Sequence, residues 1–357
     1  MIEKEKIGKD FVENATTGQT QCRRCCMDRS DPDISFDIDG VCSHCHQAQK
    51  SLGEIKTLKL PIIKGKKYDC LIGLSGGVDS SYLLHKAVEL GLRPLCFSVD
   101  NGWNDSKADE NIMRLVEGLK VPFYRYTIDT KKFIELQGAF MRAGQKNLEI
   151  PTDHILMATT LEMADKYGIK WVLSGGNVAT ESIMPESWGY NARDLVHIKD
   201  VYNKMIGKKL VGLPVCSLLK WNYYRWVKGI KTLYLLDYLG YNRVEAIKLL
   251  EDKYGYKDYG EKHGESVFTK WFQNYYLFMK FGIDKRKAHL SSMINSGQMT
   301  KQEALDELGR NPIYPEIGLE KRVMTYPQRS YTEFKTDEKL WKFLTHSIRA
   351  LKKLFRR

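Results

Sequence analysis

Short apolar runs alternate with helix-length amphipathic stretches over the first half of the chain, and that alternation predicts its fold. Strands are expected over 70–74, 94–99, 123–128 and 171–174, with helices near 79–90, 107–120, 130–143 and 152–167. Strands separated by helices form a parallel sheet, because parallel neighbours need a crossover connection. The expected class is α/β, a doubly wound parallel sheet whose ligands sit at the carboxyl ends of the strands. Beyond residue 200 the pattern turns mainly helical, with Tyr and Trp clustered from Trp221 to Tyr241 and an aromatic helix over 271–281. Thr300-Lys301-Gln302-Glu303 is a capping box. In the tail, Trp341, Leu344, Ile348, Leu351 and Phe355 recur at three- and four-residue intervals among basic positions, the mark of an amphipathic helix. Such a helix either packs on its own core or docks on an anionic membrane surface or an acidic partner.

The loop after the first strand reads Ser75-Gly76-Gly77-Val78-Asp79-Ser80-Ser81. A strand, a glycine turn and a helix start bring backbone N–H groups and the positive end of a helix dipole to one point, which suits a phosphate. Glycine lets the backbone come close without a Cβ in the way. This is not a Walker A loop, since G-x-x-x-x-G-K-[ST] is absent and no lysine follows the glycines. Val99-Asp100-Asn101-Gly102-Trp103 and Ser174-Gly175-Gly176-Asn177-Val178-Ala179-Thr180-Glu181-Ser182 follow the second and fourth strands. Either alone reads as an ordinary turn. Beside the glycine loop they predict one site. Tyr259-Gly260-Glu261-Lys262-His263-Gly264-Glu265-Ser266 crowds charges on a glycine-marked turn, which a solvated helix entrance also explains.

At 357 residues the chain exceeds the usual single core, and its 43% hydrophobic content is ample for a packed interior. The expected division is a zinc module and linker (1–60), a nucleotide domain (61–200), a helical substrate or partner region (201–335) and the basic tail (336–357). No run of about 18 uncharged apolar residues occurs and Met1–Lys6 lacks a signal-peptide core, so a cytoplasmic location is expected. The net charge of +12 is local: residues 199–231 hold eight Lys/Arg against one Asp, and 335–357 hold eight against two acids. The surplus therefore marks two surfaces. Cys22-x-x-Cys25 and Cys42-x-x-Cys45 have the spacing of paired thiolate knuckles that hold structural zinc, with Cys26, His44 and His46 near enough to replace a ligand. Cys70, Cys96 and Cys216 lie among apolar residues and read as core.

SGGxDS resembles the loop of the PP-loop (N-type) ATP pyrophosphatases. The order of the cysteine knuckles, SGGVDSS, VDNGW, LSGGNVATES, the stretch from Glu261 to Thr269 and Phe281 to Ser292 is similar to the N-acetyl sugar amidotransferase family, of WbpG and PseA type. The likeness spans roughly residues 20 to 310. It implies ATP cleaved between its α and β phosphates, a sugar acetamido oxygen adenylated, and AMP displaced by ammonia to give an acetamidino group, in surface polysaccharide or flagellin-sugar synthesis. It further implies Ser75, Gly76, Gly77, Val78, Asp79 and Ser80 at the phosphates, with Asp79 also placing magnesium. Asp100 or its backbone would lie near the nucleoside and Gly175 beside the nucleotide. Asn177, Thr180 and Glu181 would face the reacting amide, with Lys262, His263 and Glu265 on substrate or phosphate. The sugar is expected to be nucleotide-linked or anionic. Ile2 stands where an Ntn glutaminase has its cysteine, and no Gly-x-Cys-x-Gly elbow occurs. Ammonia is thus expected from separate glutaminase and cyclase-type subunits like those of histidine biosynthesis. The rival readings are a tRNA-modifying PP-loop thiolase or lysidine-type ligase, disfavoured because neither VDNGW nor LSGGNVATES holds a cysteine, and a zinc-finger adaptor, which leaves SGGVDSS without a purpose.

Overall fold

A computed structural model describes residues 19–54, 66–260, 264–341 and 343. Its centre is a parallel sheet of β1 (Cys70–Gly73), β2 (Pro94–Asp100), β3 (Phe123–Thr127), β4 (Trp171–Leu173) and β5 (Lys231–Leu233), in the order β3-β2-β1-β4-β5. The first four strands end within one residue of their expected limits. β5 was not expected. It lies inside the region read as helical, so the sheet runs past residue 200. Three residues on an exposed edge carry no alternation from which a strand can be read.

Helices α1 (Ser43–Gly53), α2 (Val78–Glu89), α3 (Ser106–Leu119), α4 (Thr130–Arg142), α5 (Ile150–Lys166), α6 (Val178–Glu181), α7 (Leu195–Ile206) and α8 (Arg243–Tyr254) follow in chain order. Because strand side chains alternate between faces, β1 serves two cores. Cys70 and Ile72 pack with Leu83 of α2, Leu115 of α3 and Leu250 of α8. Leu71 packs on the opposite side with Phe133 and Phe140 of α4 and Ile155 of α5. A one-residue slip of β1 would exchange the two sets, so its register is fixed by burial worth about 1.5–3 kcal/mol per large side chain. The first two crossovers thus cover one face and the third the other. The change of face between β1 and β4 opens a crevice at their carboxyl ends.

The C-terminal helices share this core. α9 (Val267–Trp271) continues through a wide turn, Phe272–Tyr276, to Leu277–Phe281, and buries Phe268, Trp271, Phe272 and Tyr276 in the same cluster as Leu71. α10 (Arg286–Asn295) and α11 (Lys301–Leu308) follow, α11 opening on the expected Thr300–Glu303 capping box. Of the basic tail (336–357), residues 336–341 and 343 are described and are helical from Glu338; of its apolar stripe only Trp341 is among them, and the rest lies outside the described residues. No described helix is long and apolar enough to cross a membrane.

At the N-terminal end, Cys22, Cys25, Cys42 and Cys45 bring four buried sulfurs within 4.8 Å of one another. The Cys22–Cys45 and Cys25–Cys42 Sγ separations are 3.9 and 3.7 Å. A zinc tetrahedron with bonds of about 2.3 Å has S···S edges of about 3.8 Å, so the four sulfurs fit the ion. Backbone amides of Cys25 and Cys42 donate to Cys22 Sγ, and Asn295 Nδ2 donates to Cys45 Sγ, the partners that thiolate ligands need. The alternatives are otherwise engaged: His44 bonds Asp31, His46 bonds Asp37, and Cys26 packs with Leu290 and Ala304. Cys70, Cys96 and Cys216 are buried, as expected. The module is tied to α10, through Cys26 N to Ser291 Oγ (3.0 Å) and Gln49 Nε2 to Asn295 O (2.8 Å). α10 in turn holds the segment after β4, through Ile183 N to Ser292 Oγ (3.0 Å) and Ser296 Oγ to Ala179 O (2.8 Å). Purified protein is therefore expected to carry one zinc, and Cys42→Ser to lose it and melt several degrees lower by calorimetry. Metal-free protein with an unchanged melting temperature would exclude a metal-dependent module.

Candidate active site at the glycine loop

Leu74 and Ser75 lead from β1 into a turn at Gly76, where φ is +83°. A Cβ there would stand 2.5 Å from the carbonyl oxygen of Ala108, in the first turn of α3. Only glycine allows this backbone contact. Gly77 then caps α2 without a side-chain hydrogen bond, which leaves the helix's first amides to face a ligand. Ser75 and Ser80 stand across the turn with hydroxyls 3.2 Å apart, and Gly77 N donates to Ser75 Oγ. Buried Asn111 receives Lys257 N (2.9 Å) and donates to Lys257 O (2.9 Å), pinning the 257 segment beside the loop. Asp79, in the first turn of α2, accepts a hydrogen bond from buried Tyr241. Burial, then the charge of Asp79, hold that phenol far above its ordinary pKa, so Tyr241 acts as a donor.

The loop after β4 comes in from the other side of the crevice. A Cβ on Gly175 would lie 3.1 Å from Ser80 N, so this loop packs on the amides of α2 itself. Asn177 Oδ1 accepts from Thr180 N (2.9 Å) and Thr180 Oγ1 (3.1 Å) and caps α6. Glu181 faces the same opening. Across from it, the segment at 265 is tied to the loop after β2: Asp105 N donates to Glu265 O (3.0 Å) and Val267 N to Trp103 O (3.0 Å). This brings Glu265 Oε1 to 3.1 Å from where a Gly77 Cβ would stand.

The resulting cavity, about 210 Å³, is bounded by Ser75, Gly77, Val78, Asp79 and Ser80 on one side and by Gly175 and Glu181 on another. Arg243, Tyr256, Asp258 and Glu265 complete it. Among the described residues, four carboxylates, Asp79, Glu181, Asp258 and Glu265, thus ring an anion cradle that has one arginine. That combination fits a polyphosphate arriving with a hard divalent cation such as magnesium, held by oxygen ligands.

Two further cavities open from it. One, about 360 Å³, shares Ser75 and Glu265 and extends over the ends of β1 and β2 past Leu74, Ser98 and Val99 to Glu149, Asp153 and Lys285. Asp100 turns away: its Oδ1 accepts Gly102 N, while its neighbours Val99 and Asn101 line the wall. The other, about 390 Å³, shares Arg243 and Tyr259 with the cradle and is walled mostly by α9–α11, with Lys270, Arg310, Gln273 and Asn274 among its polar groups. Thr180 lines this cavity. Arg286 also reaches it, but is engaged by both Asp284 oxygens and by the carbonyls of Glu307 and Arg310. Lys262 and His263 lie outside the described residues.

Sequence reading missed Tyr241, Asp258, Glu149 and Asp153. The last two had a legible signal, a four-residue spacing at the start of a helix, but acids there are ordinary partners of the helix dipole. Gly76→Ala is expected to cost about 1–3 kcal/mol through the left-handed backbone and the Ala108 contact. It should abolish ATP binding measured by calorimetry. Wild-type affinity in that variant would show that the loop does not grip the nucleotide.

Residues 265–348 match the family model of the LPS biosynthesis protein WbpG-like C-terminal domain. No curated protein matches the chain. Among solved structures, NMN synthetase from Francisella tularensis is 15% identical over 62% of this chain and 90% of its own, with a TM-score of 0.29. The U34-tRNA thiolase NcsA from Methanococcus maripaludis, with its [4Fe-4S] cluster, is 12% identical over 88% of this chain and 99% of its own, at 0.35. The NH3-dependent NAD synthetase from Campylobacter jejuni, in complex with nitrate, is 14% identical over 60% and 91%, at 0.28. These likenesses are too slight to bear on function. The chain thus joins a segment that matches a WbpG-like C-terminal domain, residues 265–348, to a parallel sheet whose first loop carries the SGGxDS sequence that resembles a PP-loop.

Proposed function

We propose that the protein is an ATP-dependent amidotransferase that converts the acetamido group of an N-acetylated sugar to an acetamidino group. The observation that carries this reading is the glycine cradle, without a lysine among the described residues that line it, ringed by carboxylates and opening into two side cavities, one over the strand ends and one in the WbpG-like segment. A nucleotide with its pyrophosphate on the α2 amides would extend its nucleoside over Leu74 and Val99. The cavity beside Lys270 and Arg310 is left for an anionic, nucleotide-linked sugar, whose amide would meet the α-phosphorus near Glu181.

An amide carbonyl resists ammonia because its oxygen leaves poorly. The amide oxygen forms a bond to the α-phosphorus as the bond to pyrophosphate breaks. Ammonia then adds to the imidate carbon, and AMP leaves with the former amide oxygen. The protein supplies fixed charge for this: the amides at the start of α2, from Val78, and the hydroxyls of Ser75 and Ser80 would face the departing pyrophosphate. Asp79, with Glu181 or Glu265, would hold magnesium, which neutralises charge on the phosphates. Tyr241 keeps the Asp79 carboxylate aimed into the cradle. The thiolate cluster, far from these groups in its contacts, has the closed donor set of structural zinc. We assign ammonia to a partner glutaminase and cyclase-type subunit and the setting to the cytoplasm, in synthesis of surface polysaccharide or flagellin sugars.

With ATP and a panel of nucleotide-linked N-acetyl sugars, ¹⁵N-ammonium is expected to enter the product, whereas ¹⁵N-amide glutamine without a partner is not. Asp79→Asn retains an acceptor for Tyr241 and removes the charge. It should lower turnover by about a hundredfold or more with its melting temperature unchanged. Nitrogen transfer without ATP, or from glutamine alone, would contradict the reading.

A further inference from the structure

Glu149 and Asp153 stand one turn apart at the start of α5, on the wall of the cavity that shares Ser75 and Glu265 with the phosphate cradle. Glu149 is 8% exposed, and its Oε1 has no hydrogen-bond partner among the described residues. Thr152 Oγ1, on the same wall at 9% exposure, also has none among them. Neither oxygen caps a helix: Glu149 stands at the cap position of α5 without a side-chain bond to it. Burial first, then the neighbouring Asp153, push the Glu149 carboxyl up to about 8, against downward pulls from Lys285 and from the nearby hydroxyls of Thr269 and Thr152. Asp153 is open to the cavity, but the protein atoms crowded around it desolvate its carboxyl and raise it to about 6, again opposed by Lys285. Glu265 faces the same space. Three carboxylates with one lysine, and acceptor oxygens left open at the wall, describe a site for a small cation that donates hydrogen bonds.

We propose that Glu149 and Asp153 bind ammonium in this cavity and that Glu149 takes its proton, releasing ammonia toward the adenylated amide. The catalytic part rests on the ammonia-dependent reading above. An N–H bond of ammonium breaks and the proton goes to a Glu149 oxygen. The freed lone pair forms the C–N bond at the carbon of the imidate, which is neutral because the amide N–H proton has passed to solvent on adenylation. The C–O bond breaks with its electron pair leaving on AMP, the imidate nitrogen takes one of the ammonia protons, and the product departs as an amidinium. The proton on Glu149 passes to solvent before the next turnover.

Binding is tested without turnover. A carboxyl raised in the folded state adds stability that is complete below the ordinary carboxylate range and lost as pH rises to about 8. A bound cation restores it. At pH 8 and equal ionic strength, ammonium chloride should therefore raise the melting temperature of the wild type above its value in potassium or tetramethylammonium chloride. The difference should vanish at pH 5 and in Glu149→Gln. In turnover, Glu149→Gln should raise the KM for ammonium by about tenfold or more, leave the KM for ATP unchanged and use hydroxylamine, largely uncharged at neutral pH, as well as the wild type does. Equal stabilisation by potassium and ammonium would overturn the proposal, as would a Glu149→Gln variant whose defect lies in ATP, since the acids would then serve the adenine amine. Failure of every acceptor sugar would overturn the amidotransferase reading, and the salt-specific melting shift would still decide the ammonium site.

Discussion

Backbone meets backbone where Gly76 touches the first turn of α3, and the geometry of the site depends on that contact. With no Cβ at Gly76 the turn closes against Ala108, and the amides of α2 point into the crevice. The N-cap and first two turns of α3 also receive the 265 segment, through Asp105 N to Glu265 O, and the 257 segment, through Asn111. One helix start therefore sets the distance between the phosphate loop and the two segments that bring carboxylates to it. A side chain forced into the Gly76 contact would move all three together.

Charge explains why the cradle is lined as it is. Helix amides attract phosphate, yet Asp79, Glu181, Asp258 and Glu265 repel it, and Arg243 is already shared with Asp258 at 3.5 Å. The arrangement becomes favourable only when a cation comes with the anion. Arg243 and Tyr259 carry the cradle wall over into the cavity walled by the WbpG-like segment, so the two cavities share side chains. The cysteine module is coupled mechanically, since α10 bonds to it on one side and to the α6 segment on the other. Its metal would act on the site through packing.

The parts of this design that are local in sequence were legible there. Paired Cys-x-x-Cys spacings, a glycine loop between a strand and a helix, and apolar alternation over β1 to β4 each state their structure within a few residues. What joins distant segments was not. Tyr241 reaches Asp79, and Asn111 reaches Lys257, by folds of the chain that no spacing announces. Asn177 shows the converse: its loop reads as a site, while its side chain oxygen serves the cap of α6. β5 escaped because three edge residues give burial no pattern to follow.

The most direct measurement follows the amide oxygen. An acceptor sugar labelled with ¹⁸O in its acetamido carbonyl, turned over with ATP and ammonium, should pass the label to the phosphate of AMP, because that oxygen attacks the α-phosphorus and leaves with it. Label released into water or inorganic phosphate, or ADP as the nucleotide product, would contradict adenylation on the glycine loop.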